Sequence, residues 1–397
     1  MQYFFVLGSN PTLSLAELSA VFNLNQEKKE NIILLENILI LETKNEFDAT
    51  KLIAKLGGTI KIGVIDFESE NNKDSIVDET LKIIDQKDIS GKFNFGISGY
   101  SRKPMNIRPI GMEIKNQLRV KEISCRFVVS REATLSSVVV EQNKLLKSGV
   151  EIVLINDRGK IYGGHTLAVQ PFKELSYRDY GRPARDDRSG LLPPKLAQIM
   201  INLSGAKISD TLIDPFCGSG TILTEAALMG YQNLIGTDIS PKAIEDTRKN
   251  MEWILKNFQF PISNFQLFNI TSAKLSSKIQ NNNIDVIITE PYLGPQRGKI
   301  DVKRVKKELE ELYQKSLKEF YKILKPGGRI VMVFPIFQLQ ASSFKLQADL
   351  YGFKIINPIP EFLWGDKNIK LTERKTIIYG REGQKIWREI VILEKMN

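Results

Sequence analysis

Apolar and polar positions divide the chain into two halves with different rhythms. In the first, short apolar runs (Tyr3 to Leu7, Ile32 to Leu35, Ile38 to Leu41) alternate with segments of helical spacing. That pattern predicts a small α/β, ferredoxin-like domain over residues 1–65. Ser14-Leu15-Ala16-Glu17 has the Ser-x-x-Glu spacing of a capping box, so a helix is expected to start at Ser14. Gly57 to Gly63 reads as a turn followed by a strand. A second α/β segment is expected over residues 66–170. It has strands at Phe93 to Gly99, Cys125 to Val129 and Gly149 to Ile155, and helices at Met105 to Val120 and Thr134 to Lys147. Residues 171–190 read as a linker. Their charged core, Tyr177 to Arg188, carries Arg178, Arg182, Arg185 and Arg188 among Asp179, Asp186 and Asp187, and is either a solvated connector or a mobile functional loop.

After Pro193 strand and helix alternate regularly. Strands are expected at Thr211 to Asp214, Leu234 to Asp238, Ile284 to Thr289 and Arg329 to Phe334. Helices are expected at Lys195 to Leu203, Ile222 to Met229, Ile239 to Asn257 and Leu309 to Leu324. Near-continuous apolar strands separated by helices predict a parallel sheet covered on both faces. Residues 191–397 therefore read as an α/β, Rossmann-like, doubly wound domain.

Composition narrows the function. The chain has 397 residues, room for two or three domains. Lys plus Arg number 56 against 46 for Asp plus Glu, and the net charge of +10 favours an acidic partner such as nucleic acid. His165 is the one histidine, which excludes mechanisms needing several, and its setting reads as structural. Cys125 and Cys217 form no disulfide framework and, with one histidine, no four-ligand zinc site, so no metal is expected. The N-terminus lacks the basic flank of a signal peptide, and the longest apolar stretch is broken by Glu36 and Asn37. No membrane association and a cytoplasmic location are the expectations.

The densest chemical signal is Leu212-Ile213-Asp214-Pro215-Phe216-Cys217-Gly218-Ser219-Gly220-Thr221. A buried strand ends in an acid, and a glycine turn then opens a helix, at the strand end where open α/β sheets bind ligands. The loop matches neither the Walker phosphate pattern nor Gly-x-Gly-x-x-Gly. An acid there suits an ammonium group rather than a phosphate. Asp238, ending the next strand, suits the two ribose hydroxyls of a nucleoside, or caps the following helix. Together they imply a nucleoside with a cationic amino-acid end: S-adenosyl-L-methionine.

On these residues the C-terminal half resembles the class I S-adenosylmethionine-dependent methyltransferases. More narrowly, the chain resembles the THUMP-domain RNA guanine-N2-methyltransferases that act on position 10 of tRNA. The likeness rests on Arg182-Pro183, Leu191 to Met200, Asp214 to Thr221, Gly236-Thr237-Asp238 and Thr289-Glu290-Pro291-Tyr292. At the N-terminus it extends to Tyr3 to Gly8 and Leu15 to Leu18. It implies a THUMP-like RNA-binding domain at 66–170 and tRNA as partner, with a small activating subunit as a further possible partner. It implies that Asp214, Gly218 and Gly220 line the methionine end of the cofactor, Asp238 its ribose, and Asn269 and Ile270 its adenine, with Phe216, Cys217, Thr221 and Ile239 also among the cofactor-binding residues.

The family carries Asp, Asn or Ser followed by Pro-Pro-Tyr or Pro-Pro-Phe at the fourth strand, where acceptors hold an exocyclic amine and the aromatic ring stacks on an extruded base. Here Thr289 stands at the first acceptor position and Glu290 replaces the first proline. Glu290 is expected to accept from the amine, helix capping or a changed substrate being the alternatives. Pro291 and Tyr292 complete the catalytic set. Tyr292 occupies the place where a cysteine nucleophile would follow proline, which argues against a covalent cytosine mechanism. Arg102-Lys103, Lys303-Arg304 and Lys306-Lys307 are candidates for phosphate contact, although Glu308, Glu310 and Glu311 make the last two a possible solvated helix face. Rival readings are N2-methylation of a guanine elsewhere in tRNA or in ribosomal RNA, and a noncatalytic RNA-binding homologue.

Overall fold

A computed structural model describes all residues except 90, 103–104, 186–191, 259–263, 296–300, 338–341, 344–350 and 397, and the backbone alone at 342–343. Two compact units emerge: Met1–Pro11 with Glu27–Phe172, and Thr12–Gln26 with Lys173–Asn397. Helix α1 (Pro11–Phe22) thus comes early in the chain yet packs within the second unit. It begins at Pro11, a residue suited to a first helical turn, three residues before the expected cap. Ser14 and Glu17 are therefore interior to the helix and buried, and no capping box forms. Glu17 instead accepts a hydrogen bond from Asn202 Nδ2 at 2.8 Å.

The first unit is built on one sheet. Its strands are β1 (Gln2–Leu7), β2 (Ile32–Leu35), β3 (Ile38–Glu42), β4 (Thr59–Glu70), β5 (Phe93–Ser101), β6 (Cys125–Val128), β7 (Gly149–Asp157) and β8 (Lys160–Val169), in the order β2-β3-β1-β4-β8-β7-β5-β6. Strand β4 pairs β1 on one side and β8 on the other. It runs straight through residue 65, so the expected division there falls inside a strand, and the two N-terminal segments share their sheet. Alternation along β7 puts Val150, Ile152 and Leu154 on one face and Val153 and Ile155 on the other. Both faces are covered, hence the continuous apolar run Ile152–Ile155 in the sequence. Among the helices, α2 (Ala49–Ile53), α3 (Lys73–Asp85), α4 (Arg108–Val120) and α5 (Ser137–Gln142), α4 buries Ile110, Ile114 and Leu118 at helical spacing against the first of these faces. The helix expected over Thr134 to Lys147 is the short α5, with Lys144 at φ 55° beyond its end. His165 pairs with Asp66 across β8 and β4, Nδ1 to Oδ2 at 2.7 Å.

A buried ion pair sits in this unit. Lys61 Nζ donates to Glu151 and, at 2.6 Å, to the Leu135 carbonyl. Glu151 also accepts from Ser98 Oγ at 2.5 Å and Thr166 Oγ1 at 2.7 Å. All four side chains are buried.

The second unit is a doubly wound α/β domain. Its strands β9 (Thr211–Asp214), β10 (Asn233–Asp238), β11 (Asn264–Asn269), β12 (Ile284–Thr289), β13 (Leu324–Phe337), β14 (Ser342–Ser343), β15 (Phe353–Ile356), β16 (Ile377–Tyr379) and β17 (Ile386–Lys395) form a sheet ordered β11-β10-β9-β12-β13-β17-β15. β14 and β16 pair at its side with β13 and β17. From β11 to β13 neighbours are parallel, whereas β17 is antiparallel to β13 and β15. The strand order reverses between β9 and β12, the switch point at which open α/β sheets bind ligands.

The surrounding helices are α6 (Phe172–Tyr180), α7 (Pro194–Ser204), α8 (Thr221–Met229), α9 (Pro241–Phe258) and α10 (Val302–Ile323). Up to Arg185, helix α6 and the residues after it carry buried arginines, which excludes the solvated-connector alternative for this part of 171–190. Arg178 is buried and forks Glu225 of α8, Nε to Oε1 at 2.8 Å and Nη2 to Oε2 at 3.1 Å. Arg182, also buried, donates to Thr221 Oγ1. Ala184 is clamped through its backbone by Asn250. Arg188, Asp186, Asp187, Leu191 and Lys103 lie outside the described residues. Among the described residues no helix is long and apolar enough to cross a membrane.

Candidate active site

Three parallel strands end at one cavity of about 420 Å³. β9 brings Asp214 and the glycine turn, β10 brings Asp238 and Ile239, and β12 leads into Glu290, Pro291 and Tyr292. The turn works because Gly218 (φ 52°) and Gly220 (φ 82°) take left-handed backbone conformations. A Cβ on Gly220 would also meet Thr247 Cγ2 at 2.8 Å, whereas a Cβ on Gly218 would meet nothing. Gly218 is therefore the open glycine at the cavity, and Gly220 is the packing glycine that starts α8.

Asp214 is 2% exposed. Its Oδ1 accepts from Thr289 Oγ1 at 2.7 Å and from the Phe216 N–H at 3.1 Å. Burial pushes its carboxyl up to about 7; the two hydrogen bonds oppose the rise, and the charges of Asp238 and Glu290 add to it. Among the described residues no cation pairs with it. A buried acid in an acidic neighbourhood can pair with a positive group brought from outside the chain.

Asp238 braces the two loops beside it. Its Oδ2 accepts from the Gly218 N–H at 3.1 Å and its Oδ1 from the Ser240 N–H at 2.9 Å. Each oxygen keeps a second lone-pair site. Ile239, 74% exposed, adds an apolar surface to the cavity rim. Asn269 and Ile270 do not line this cavity. Asn269 Nδ2 donates to the carbonyls of Asp238 and Ile239, both at 2.9 Å, so its amide donors hold that turn; Thr271 and Ser272 line the wall in its place. Phe216, Cys217 and Thr221 line the cavity too. Cys217 is buried and its thiol is pushed far up by burial, with the charge of Asp214 adding, so it is no thiolate nucleophile.

The fourth-strand motif divides its labour differently from expectation. Thr289 is fully buried and absent from the cavity wall, its hydroxyl committed to Asp214. It holds the acid rather than a substrate. Glu290 does face the cavity, and Arg388 of β17 forks it: Nε donates to Oε1, and Nη2 to Oε2 at 3.3 Å. Tyr292 is 53% exposed at the rim, and its carbonyl accepts from the buried Tyr313 hydroxyl at 2.7 Å. Lys303, Arg304 and Lys307 are exposed on the first turns of α10, where Arg304 pairs with Glu308 at 3.3 Å. Arg102 is exposed in the first unit.

Sequence reasoning missed Arg388. Its signal was a charged pair, Arg388-Glu389, interrupting the apolar positions between Ile386 and Leu393. Leu192 and Leu312 complete the apolar wall.

Residues 182–349 match the RMKL-like methyltransferase domain. A tRNA (guanine(10)-N2)-dimethyltransferase from Methanothermobacter thermautotrophicus is 35% identical over 55% of this chain and 62% of its own length. A probable tRNA (guanine(10)-N2)-dimethyltransferase from Methanothermococcus thermolithotrophicus is 32% identical over 39% of this chain and 84% of its own. The chain belongs to the tRNA (guanine-N2-)-methyltransferase family. It spans between 47% and 62% of the length of three curated relatives it matches. In fold, this family member is similar to the crystal structure of TrmN from Thermus thermophilus, with a TM-score of 0.54 over all of both chains at 15% identity.

Proposed function

We propose that the protein transfers a methyl group from S-adenosyl-L-methionine to the exocyclic N2 of a guanosine in tRNA, at position 10 as the names of its relatives suggest. The observation that carries this reading is the convergence on one cavity of an unpaired buried acid, Asp214, and the Glu290-Pro291-Tyr292 segment. The donor set fits the cofactor: Asp214 suits its ammonium, Asp238 its ribose hydroxyls, and the open backbone at Gly218 a close approach. Bound there, S-adenosylmethionine supplies an electrophilic methyl group. Glu290 takes an N–H of the target amine, which favours lone-pair density on nitrogen, and Tyr292 stacks on the extruded base. Orientation in the cavity supplies most of the rate, and no histidine base is required.

The first unit grips structured RNA through shape and charge in this reading, as a THUMP-like module, and the protein acts in the cytoplasm. The test is incubation with isotopically methyl-labelled S-adenosylmethionine and unmodified tRNA, with ribosomal RNA alongside, then digestion to nucleosides and mass spectrometry. Labelled N2-methylguanosine from tRNA is expected. Label in ribosomal RNA or another nucleoside overturns the substrate. No label despite cofactor binding would favour a noncatalytic RNA binder.

A further inference from the structure

Arg388 reaches the cavity from the part of the sheet that departs from parallel order. β17 runs antiparallel to β13, so its first residues lie at the carboxyl edge: Ile386 pairs Phe337 and Arg388 pairs Pro335. On the other side of β13, Thr289 pairs Met332. Arg388 is thereby placed one strand beyond β13 and just past the level of Glu290. Alternation turns the next side chain to the opposite face, where Glu389 is buried and forked by Arg374. Arg388 itself faces the cavity.

The contact is a fork, not a point charge. Nε and Nη2 engage different oxygens of Glu290, and the two side chains are only 13% and 12% exposed. Burial works against the charge on Arg388, but the carboxylate of Glu290 outweighs it and holds the guanidinium above its ordinary value. A planar guanidinium bound at two points fixes the plane and rotamer of its carboxylate, which a lysine ammonium cannot do. One lone-pair site on each oxygen is used and one on each remains. Glutamate also has one more rotatable bond than the aspartate or asparagine expected near this point of the motif, and so more freedom to lose on accepting an amine.

We propose that Arg388 is a positioning residue for methyl transfer: it fixes Glu290 so that a remaining lone pair faces the exocyclic amine of the target base. The inference rests on the reading of Glu290 as the amine's acceptor. The amine nitrogen becomes positively charged as its bond to the methyl carbon forms and the carbon–sulfur bond breaks, the electron pair leaving on sulfur. A carboxylate already fixed beside it stabilises that charge without reorganising, and the surplus N–H proton is then lost to solvent. Arg388 acts through Glu290, which separates it from a residue that merely holds the sheet together.

The experiment compares methyl transfer to unmodified tRNA by the wild type, Glu290→Gln, Arg388→Ala, Arg388→Lys and the Glu290→Gln/Arg388→Ala double variant, with cofactor affinity measured by calorimetry. Arg388→Ala should lower kcat about 100-fold, with KM for tRNA and cofactor affinity little changed. Arg388→Lys should recover only a small part. The double variant should lose no more than the worse single variant, because both changes remove one unit. Added guanidinium, far below unfolding concentrations, should restore turnover to Arg388→Ala and not to the double variant. Unchanged kcat in Arg388→Ala, or losses that multiply in the double variant, would overturn the proposal. If Arg388→Ala fails to bind cofactor, the decision passes to Arg388→Lys and its double with Glu290→Gln, read by the same rule. A wild type that methylates no exocyclic amine overturns the functional reading and this inference with it. An active wild type with multiplying losses overturns the positioning role alone.

Discussion

Glu151 of the first unit and Asp214 of the second are both buried carboxylates, and their surroundings could hardly differ more. Glu151 is met by Lys61 and by the hydroxyls of Ser98 and Thr166, so its charge is answered from within the chain. Asp214 has one hydroxyl and one backbone N–H, two acidic neighbours, and a cavity in front of it. Burying a charge is costly unless it is paired. The first acid is paired by the fold; the second, in the function proposed above, is paired by the cofactor's ammonium. A polar cluster closed on itself needs nothing from outside the chain, whereas one lacking a cation can take one from a ligand.

The sharpest break of that contrast is Glu151→Ala. It strands a buried ammonium and should cost about 3–5 kcal/mol of folding stability, measured by denaturant unfolding, with cofactor affinity of the folded protein unchanged. Loss of cofactor affinity at full stability would erase the distinction.

Asp214→Asn should do the reverse. Cofactor affinity should fall by about 2–5 kcal/mol, while the unliganded protein becomes more stable at pH 8. The sign follows from linkage. Between the ordinary value of 3.8 and about 7 the unfolded acid is ionised while the folded one keeps its proton, so Asp214 lowers stability as pH rises through that window. A cation binds the ionised form, so wild-type affinity should weaken towards about tenfold per pH unit below about 7. The Asn variant should lack that dependence. Calorimetry across pH reads both.

The smallest effect is expected at the rim. Ile239→Ser removes exposed apolar surface from the cavity edge and should reduce cofactor affinity by about 1 kcal/mol. Folding stability should stay within about 0.5 kcal/mol. A larger loss of stability would mean that Ile239 belongs to the packing rather than to the cavity.

What could be read in the sequence was local. The strand Thr211–Asp214, its glycine turn and the apolar run Ile284–Thr289 are contiguous signals, and they fall where the pattern puts them. What escaped depends on partners far along the chain. Arg178 is held by Glu225, 47 residues away, so an arginine in a charged stretch that reads as solvated is buried. Thr289 answers Asp214, 75 residues before it, and Arg388 reaches back 98 residues to Glu290. Polar residues in a one-dimensional pattern look exposed, and only the fold reveals that one is another's partner. Asn269 taught the same lesson on a smaller scale, since a short polar side chain at a strand end serves the backbone as readily as a ligand.

Helix α1 bears on how such a protein can be taken apart. Its Thr12 hydroxyl accepts from the Lys370 N–H at 2.9 Å, and its Glu17 binds Asn202, contacts more than 180 residues apart in the chain. A gene fragment opening at Lys173 would encode the entire sheet and cavity wall of the second unit and still omit one of that unit's helices, exposing the apolar surface beneath Leu13, Leu15 and Leu18. Shuffling or truncating these modules at one cut point would thus yield an aggregation-prone piece. A separable fragment of the second unit needs α1 supplied as well, by fusion or as a second peptide.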